Sequence, residues 1–129
     1  MTFEPIRPLV LIVEDDADTR DMYAMYLEFC GIAVLSALNA HEAFELAVAH
    51  QPQMIVTDYR LGGSATGADL CRHLQEHERT RHIPTLLMTG SSRQQDTDAA
   101  IDAGCAQVRL KPYLPDALVN DIRETLARV

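Results

Sequence analysis

The stretch QMIVTDYRLGG, residues 53–63, decides the fold. Met54, Ile55 and Val56 make a short apolar run, which reads as a buried strand. The run delivers Asp58 where the chain must leave the sheet, with Gly62 and Gly63 in the turn beyond. An aspartate there is a turn residue, or a carboxylate held at a working position. Taken alone, it is more often the former. The other strand ends have to decide.

Four further runs share the character of the first: PLVLIV (8–13), IAVLSA (32–37), IPTLLMT (83–89) and AQVRL (106–110). Those that are apolar almost throughout suit strands covered on both faces of a parallel sheet. Between the runs the period changes to that of a helix. Met22, Met25, Tyr26 and Phe29 form an i, i+3, i+4, i+7 stripe, predicted as the apolar face of the first helix, which Gly31 stops. Asn39 is the expected N-cap of a second helix, with Ala43, Phe44, Ala47 and Val48 facing inward. A third runs from Gly67 to about Glu78 with Leu70, Cys71 and Leu74 on one side. QQDTDAAIDAG (94–104) is a weak helix anchored by Ala100 and Ile101. Pro115 opens the last, with Leu118, Ile122 and Leu126 at four-residue spacing.

Strand and helix alternating five times predict an α/β domain with a five-stranded parallel sheet between helical layers. Right-handed crossovers leave few topologies, led by the flavodoxin-like, doubly wound order 2-1-3-4-5. Residues 1–129 are expected to form one domain, with no linker, repeat or further output domain.

Composition narrows the function. With 129 residues and 47% apolar content, the chain can bury a real core. No apolar run approaches the ~18–20 residues that cross a bilayer, and MTFEPIRP lacks the features of a secretory signal. A cytoplasmic protein is expected. The net charge of −8 and pI of 4.9 argue against direct nucleic-acid binding. Cys30, Cys71 and Cys105 suggest neither a disulfide framework nor a zinc motif, and read as reduced apolar fillers.

In open α/β sheets, ligands sit outside the carboxyl ends of the strands. Here the first strand runs into Glu14-Asp15-Asp16, the third into Asp58, the fourth into Thr89-Gly90-Ser91 and the fifth into Lys111-Pro112. Each residue has an ordinary explanation, and Asp16 is also expected to cap the first helix. The combination does not. Glu14, Asp15 and Asp58 would crowd three negative charges, and at ~5 Å and an effective dielectric of ~20 each pair repels by roughly 3 kcal/mol. All-oxygen ligands with room for water suit Mg²⁺, with Mn²⁺ as a substitute. Lys111 adds a positive charge. Such a site is ready for a phosphoryl group, and Asp58 is the natural nucleophile: an ordinary carboxylate, ionised at neutral pH, needs no general base. Thr89 and Lys111 could each contact one phosphoryl oxygen.

These residues, in the segments LIVEDD, IVTDYRL, LLMTG and RLKPY, resemble the receiver domain of two-component response regulators over essentially the whole chain. The resemblance implies Glu14 and Asp15 as the metal-site pair, Asp58 as phosphoacceptor, Thr89 as switch hydroxyl and Lys111 as phosphoryl contact. It further implies the backbone carbonyl of Arg60 as a metal ligand and a cis Lys111–Pro112 bond. The expected partners are a histidine kinase or histidine phosphotransfer protein upstream. Downstream, a protein target is expected through the fourth helix, fifth strand and fifth helix, with a homodimer left open. No independent substrate turnover is expected.

Three departures stand out. Position 62 is glycine where the family usually has proline, and GGSATG (62–67) holds one extra residue, predicting a more mobile loop. Arg60 is bulky and cationic beside the phosphoryl site. The aromatic switch position, three residues before the lysine, is Val108, and Tyr113 does not match it.

The rival readings have discriminating features. A flavodoxin-type flavoprotein needs a phosphate-holding loop where this chain has EDDADTR. A phosphatase with a strand-end nucleophile needs a second aspartate where Arg60 stands. A phosphorylation-independent binding module would carry the fold without the chemistry. His73 and His77, at i, i+4 with His82 nearby, have a spacing that can bind a transition metal. Nothing else in sequence completes that site, so they read as a solvated helix face. GGSATG lacks the Lys-Ser/Thr of a P-loop.

Overall fold

The structure is a computed structural model describing residues 7–128. Strands and helices alternate as β1 (Leu9–Val13), α1 (Ala17–Phe29), β2 (Ala33–Ala37), α2 (Ala40–His50), β3 (Met54–Asp58), α3 (Gly67–Glu76), β4 (Thr85–Thr89), α4 (Gln94–Asp102), β5 (Gln107–Leu110) and α5 (Pro115–Ala127). All neighbouring strands pair in parallel, in the order β2-β1-β3-β4-β5. This is the doubly wound arrangement that the alternation predicts. Asp58 is itself the last residue of β3, paired opposite Met88 of β4.

Successive strand residues face opposite sides of the sheet, and the core divides accordingly. Val10, Ile12, Met54, Val56, Leu86 and Met88 pack under α1 and α5, against Leu27, Leu118 and Ile122. Leu11, Val13 and Ile55 pack on the other face with Ala43 and Ala47 of α2 and Leu70 and Leu74 of α3. Leu87 meets Cys71, Ala100, Ala103 and Cys105 in a smaller cluster beneath α4, with Val108 packed against it. Each fully buried aliphatic side chain contributes about 1.5–3 kcal/mol relative to exposure. β3 and β4 are buried along their whole length, which explains their unbroken apolar reading.

The predicted caps form. Asp16 accepts from the backbone N–H of Thr19 and Asn39 from that of Glu42, both at 2.9 Å, and Pro115 opens α5. Two predicted faces do not hold. Met22, Met25, Tyr26 and Phe29 lie on the solvent side of α1, with Phe29 89% exposed. The buried pair is instead Tyr23 and Leu27. The Tyr23 hydroxyl donates to the Tyr113 carbonyl at 2.5 Å, turning this face toward α5 and the sheet. On α4, Ala100 is buried but Ile101 is half exposed. α3 ends at Glu76 rather than near Glu78, because His77 leaves the helix with extended backbone angles.

Candidate functional site

The parallel register aligns the carboxyl ends of β1, β3, β4 and β5, so the polar residues following them meet at one edge of the sheet. β1 hands over directly to Glu14, whose N–H donates to the Ala37 carbonyl at 3.0 Å. Its own carbonyl accepts from the Arg20 guanidinium at 3.0 Å. The Lys111 N–H donates to the Thr89 carbonyl at 2.8 Å, extending the β4–β5 ladder one residue and fixing the lysine beside the threonine. The Lys111–Pro112 peptide is cis, as the resemblance implies.

Carboxylate oxygens of Glu14, Asp15 and Asp58 lie within 4.8 Å of one another. Glu14 and Asp58 are buried while Asp15 is exposed, so the cluster opens to solvent on one side. The Lys111 ammonium sits 2.7 Å from Asp58 Oδ1. One cation against three acids leaves an excess of negative charge, and Glu14 registers it. Burial pushes its carboxyl up to about 7, reinforced by hydrogen bonding with Asp58 and by the charges of Asp58 and Asp15, against the opposing pull of Lys111. Glu14 Oε2 is buried with no hydrogen-bond partner. An orphaned buried oxygen in an all-oxygen acidic cluster fits a hard divalent cation.

Beside the acids lies a cavity of about 600 Å³ lined by Asp58, Arg60, Thr89, Ser91, Arg93 and Lys111 among others. Arg60 and Thr89, predicted from sequence, both reach it. The Thr89 hydroxyl oxygen accepts from the Ser91 N–H at 3.1 Å. Ser91 donates in turn to Asp96 at 2.5 Å, and Arg93 pairs with Asp96 at 3.1 Å. Ser91 was expected at the end of the fourth strand, but Arg93 and Asp96 were not foreseen, because they belong to an ordinary-looking helix start.

Gly67 was foreseen only as a helix start. A Cβ there would stand 2.3 Å from the Asp58 carbonyl oxygen and 2.8 Å from Leu87 Cδ1. Its N–H donates to the Tyr59 carbonyl at 2.8 Å. The first residue of α3 therefore rests directly on the backbone of Asp58. No local signal carries this; close approach is a tertiary fact. Tyr113 does not line the cavity. It is buried, its hydroxyl bonded to Asp121, and Asp121 pairs with Arg109 at 2.9 Å. Val108 stands half buried as an aliphatic plug against the cluster beneath α4.

Comparison with known proteins agrees with this geometry. The response regulator receiver domain pattern matches residues 10–123. The phosphate regulon transcriptional regulatory protein PhoB of Pseudomonas aeruginosa is 32% identical over 119 residues, covering 92% of this chain and 52% of that protein. The DNA-binding dual master transcriptional regulator RpaA of Synechocystis is 34% identical over 122 residues, covering 95% of this chain and 47% of that protein. The chain thus spans about half the length of these curated relatives. A crystal structure of a response regulator from Chloroflexus aurantiacus superposes with a TM-score of 0.87 at 28% identity, covering 95% of this chain and 99% of that one. Strand order, the residues gathered at the sheet edge and these relationships agree: the chain belongs to the response regulator receiver domain family.

Proposed function

We propose that this receiver takes a phosphoryl group onto Asp58 from a histidine kinase or histidine phosphotransfer protein, and so switches a protein-binding surface. The observation that carries the reading is the setting of Asp58: a strand-end carboxylate in contact with the Lys111 ammonium, flanked by two further acids and open to a cavity. In the transfer, a carboxylate oxygen of Asp58 attacks phosphorus and the donor's phosphorus–nitrogen bond breaks. The imidazole leaves and an aspartyl phosphate forms. Lys111 then moves its contact from the carboxylate to a phosphoryl oxygen, and the Thr89 hydroxyl donates to another. Glu14, Asp15, Asp58 and the backbone carbonyl of Arg60 would hold Mg²⁺, or Mn²⁺ in its place. When bound, the ion supplies the positive charge that offsets the acids and the incoming oxygens.

The surface that responds is proposed to be α4, β5 and α5. Ile101, Leu110 and Leu114 leave large apolar side chains exposed on these elements and their connection. The α1 stripe of Met22, Met25, Tyr26 and Phe29 begins shortly after the acidic pair, and offers the donor protein an apolar seat. No helix among the described residues is long and apolar enough to cross a membrane. We place the protein in the cytoplasm, where such donors act.

Incubation with acetyl phosphate and Mg²⁺, followed by intact mass measurement, tests the proposal. One added phosphoryl mass is expected, lost in Asp58→Asn and lost when EDTA replaces Mg²⁺. An unchanged mass in the wild-type chain would leave a binding module that works without phosphorylation.

A further inference from the structure

Cys71 and Cys105 take no part in the acidic pocket, yet they meet in the core. They are 1% and 3% exposed and share one small cluster with Leu87, Ala100 and Ala103, beneath α4. The contact reaches the thiols themselves. Cys71 is pushed up, first by hydrogen bonding with Cys105 and then by burial, and the same contact lowers Cys105. The backbone holds the two segments side by side. Gln75, one turn after Cys71 on α3, reaches the Gly104 carbonyl at 3.5 Å, and a Cβ at Gly104 would stand 2.2 Å from Gln75 Cγ. The Cys105 N–H donates to the Ala100 carbonyl at 3.1 Å, tying that residue to the last turn of α4. Cys30 packs against the core on the other face of the sheet, apart from both. We infer that Cys71 and Cys105 are a reversible disulfide pair, closed by a peroxide, that staples α3 to the end of α4.

Burial ordinarily leaves a cysteine inert, so access decides the chemistry. Here the cover is thin. α4 has no side-chain cap bond and buries only Ala100 along its length. That methyl, with Ala103 just beyond it, is what α4 packs on the two thiols. Partial opening of so lightly held a helix admits a small neutral oxidant, hydrogen peroxide. The Cys105 thiolate attacks one peroxide oxygen and the O–O bond breaks, leaving a sulfenic acid and hydroxide. The hydroxide takes up the proton that Cys105 lost and departs as water. The Cys71 sulfur then attacks the Cys105 sulfur and the S–O bond breaks. Hydroxide leaves with the Cys71 proton as a second water. Two thiols are oxidised by two electrons, and one peroxide is reduced. A dithiol reverses the step by exchange, and in a reducing compartment the pair rests as free thiols, as it does here. The closed link would hold the last turn of α4 against α3 and restrain the surface assigned above to downstream partners. That consequence rests on the phosphoryl reading, whereas the pairing does not.

The test treats the folded chain with hydrogen peroxide, then quenches, unfolds and alkylates it with N-ethylmaleimide for intact mass and peptide mapping. The reduced chain should carry three adducts, one on each cysteine. After oxidation one adduct is expected, on Cys30, with a linked peptide pair holding Cys71 and Cys105. Dithiothreitol should restore all three. Cys71→Ala and Cys105→Ala should each abolish the link and Cys30→Ala should leave it, with circular dichroism verifying each fold. The wild-type peptide map decides the pairing whatever the variants do. In the linked chain, amides of residues 100–105 should exchange roughly tenfold more slowly than in the reduced one. Three adducts after oxidation, modification confined to Cys30, or sulfinic acid at Cys105 without a link would overturn the pair. A link that leaves exchange in 100–105 unchanged would overturn the staple.

Discussion

α3 and α4 follow the two central site strands, and they are built in opposite ways. α3 carries a full capping box, in which Thr66 accepts from the Asp69 N–H and Asp69 accepts from the Thr66 N–H. It buries Gly67, Leu70, Cys71 and Leu74. α4 has Arg93 at its N-cap with no side-chain cap bond, and only Ala100 is buried. One helix clamps the backbone of the proposed acceptor. The other hangs from Thr89 by the rim of Ser91, Arg93 and Asp96. In a phosphoryl switch the reacting carboxylate must stay put while a reporter moves, and low local burial is where opening costs least.

The largest test of the contrast is Gly67→Ala. The added Cβ meets backbone, the Asp58 carbonyl oxygen at 2.3 Å, which cannot swing aside as a side-chain tip would. Urea unfolding should show a loss of roughly 2–4 kcal/mol, the range of severe overpacking. A loss below ~0.5 kcal/mol would mean that α3 slides freely, and the clamp would be lost from the account.

Next in size is the response to beryllofluoride, a phosphoryl mimic. Amides in residues 91–105 should slow in hydrogen exchange by roughly tenfold, about 1.4 kcal/mol, while those of 67–76 change little. Equal slowing in both segments would erase the distinction between anchor and reporter.

Much of this contrast is legible in the sequence, and the exceptions have a common cause. The strands announced themselves because a strand buried on both faces must be apolar throughout, as Met54–Val56 and Leu86–Met88 are. The site was legible because a parallel sheet delivers every strand end to one edge, so Glu14, Asp58, Thr89 and Lys111 could be gathered from chain order alone. The weakness of α4 showed in its scarcity of apolar residues. What could not be read was which neighbour a helix meets. α1 has two apolar sets, and the longer one, Met22 to Phe29, faces water because Tyr23 is tied to the Tyr113 carbonyl. Gly67 against Asp58, and Cys71 against Cys105, are likewise facts of packing between segments remote in sequence.

A matched pair of cap variants sharpens the comparison on a smaller scale. Thr66→Ala removes a side-chain acceptor from α3 and should cost about 1 kcal/mol. Arg93→Ser supplies one to α4 and should add a few tenths to 1 kcal/mol, after losing an exposed Arg93–Asp96 pair that contributes little. If Arg93→Ser also shrinks the exchange response to beryllofluoride, the missing cap is part of the switch.

The smallest effect lies in the pH dependence of the α3 cap. The Asp69 carboxyl is held below its ordinary value, first by the backbone N–H of Thr66 and also by the Thr66 side chain and Arg72. A carboxyl with a lowered folded-state pKa contributes stability that is fully present above its unfolded value and fades as pH falls through the folded one. The window therefore opens near the ordinary value of 3.8 and extends downward. Asp69→Asn keeps an oxygen that can accept from Thr66 but removes the proton equilibrium. Between pH 5 and 3 its stability should fall less steeply than that of the wild type, in urea titrations at each pH, and only slightly so, because solvent screens this half-exposed carboxyl. Asp96, on α4, is also lowered, by Arg93 and Ser91, but its carboxyl is solvent-facing at a helix end that contributes little to the fold. Asp96→Asn should consequently leave the acid limb of global stability unchanged. A flattening as large as that of Asp69→Asn would show α4 to be as firmly built into the fold as α3.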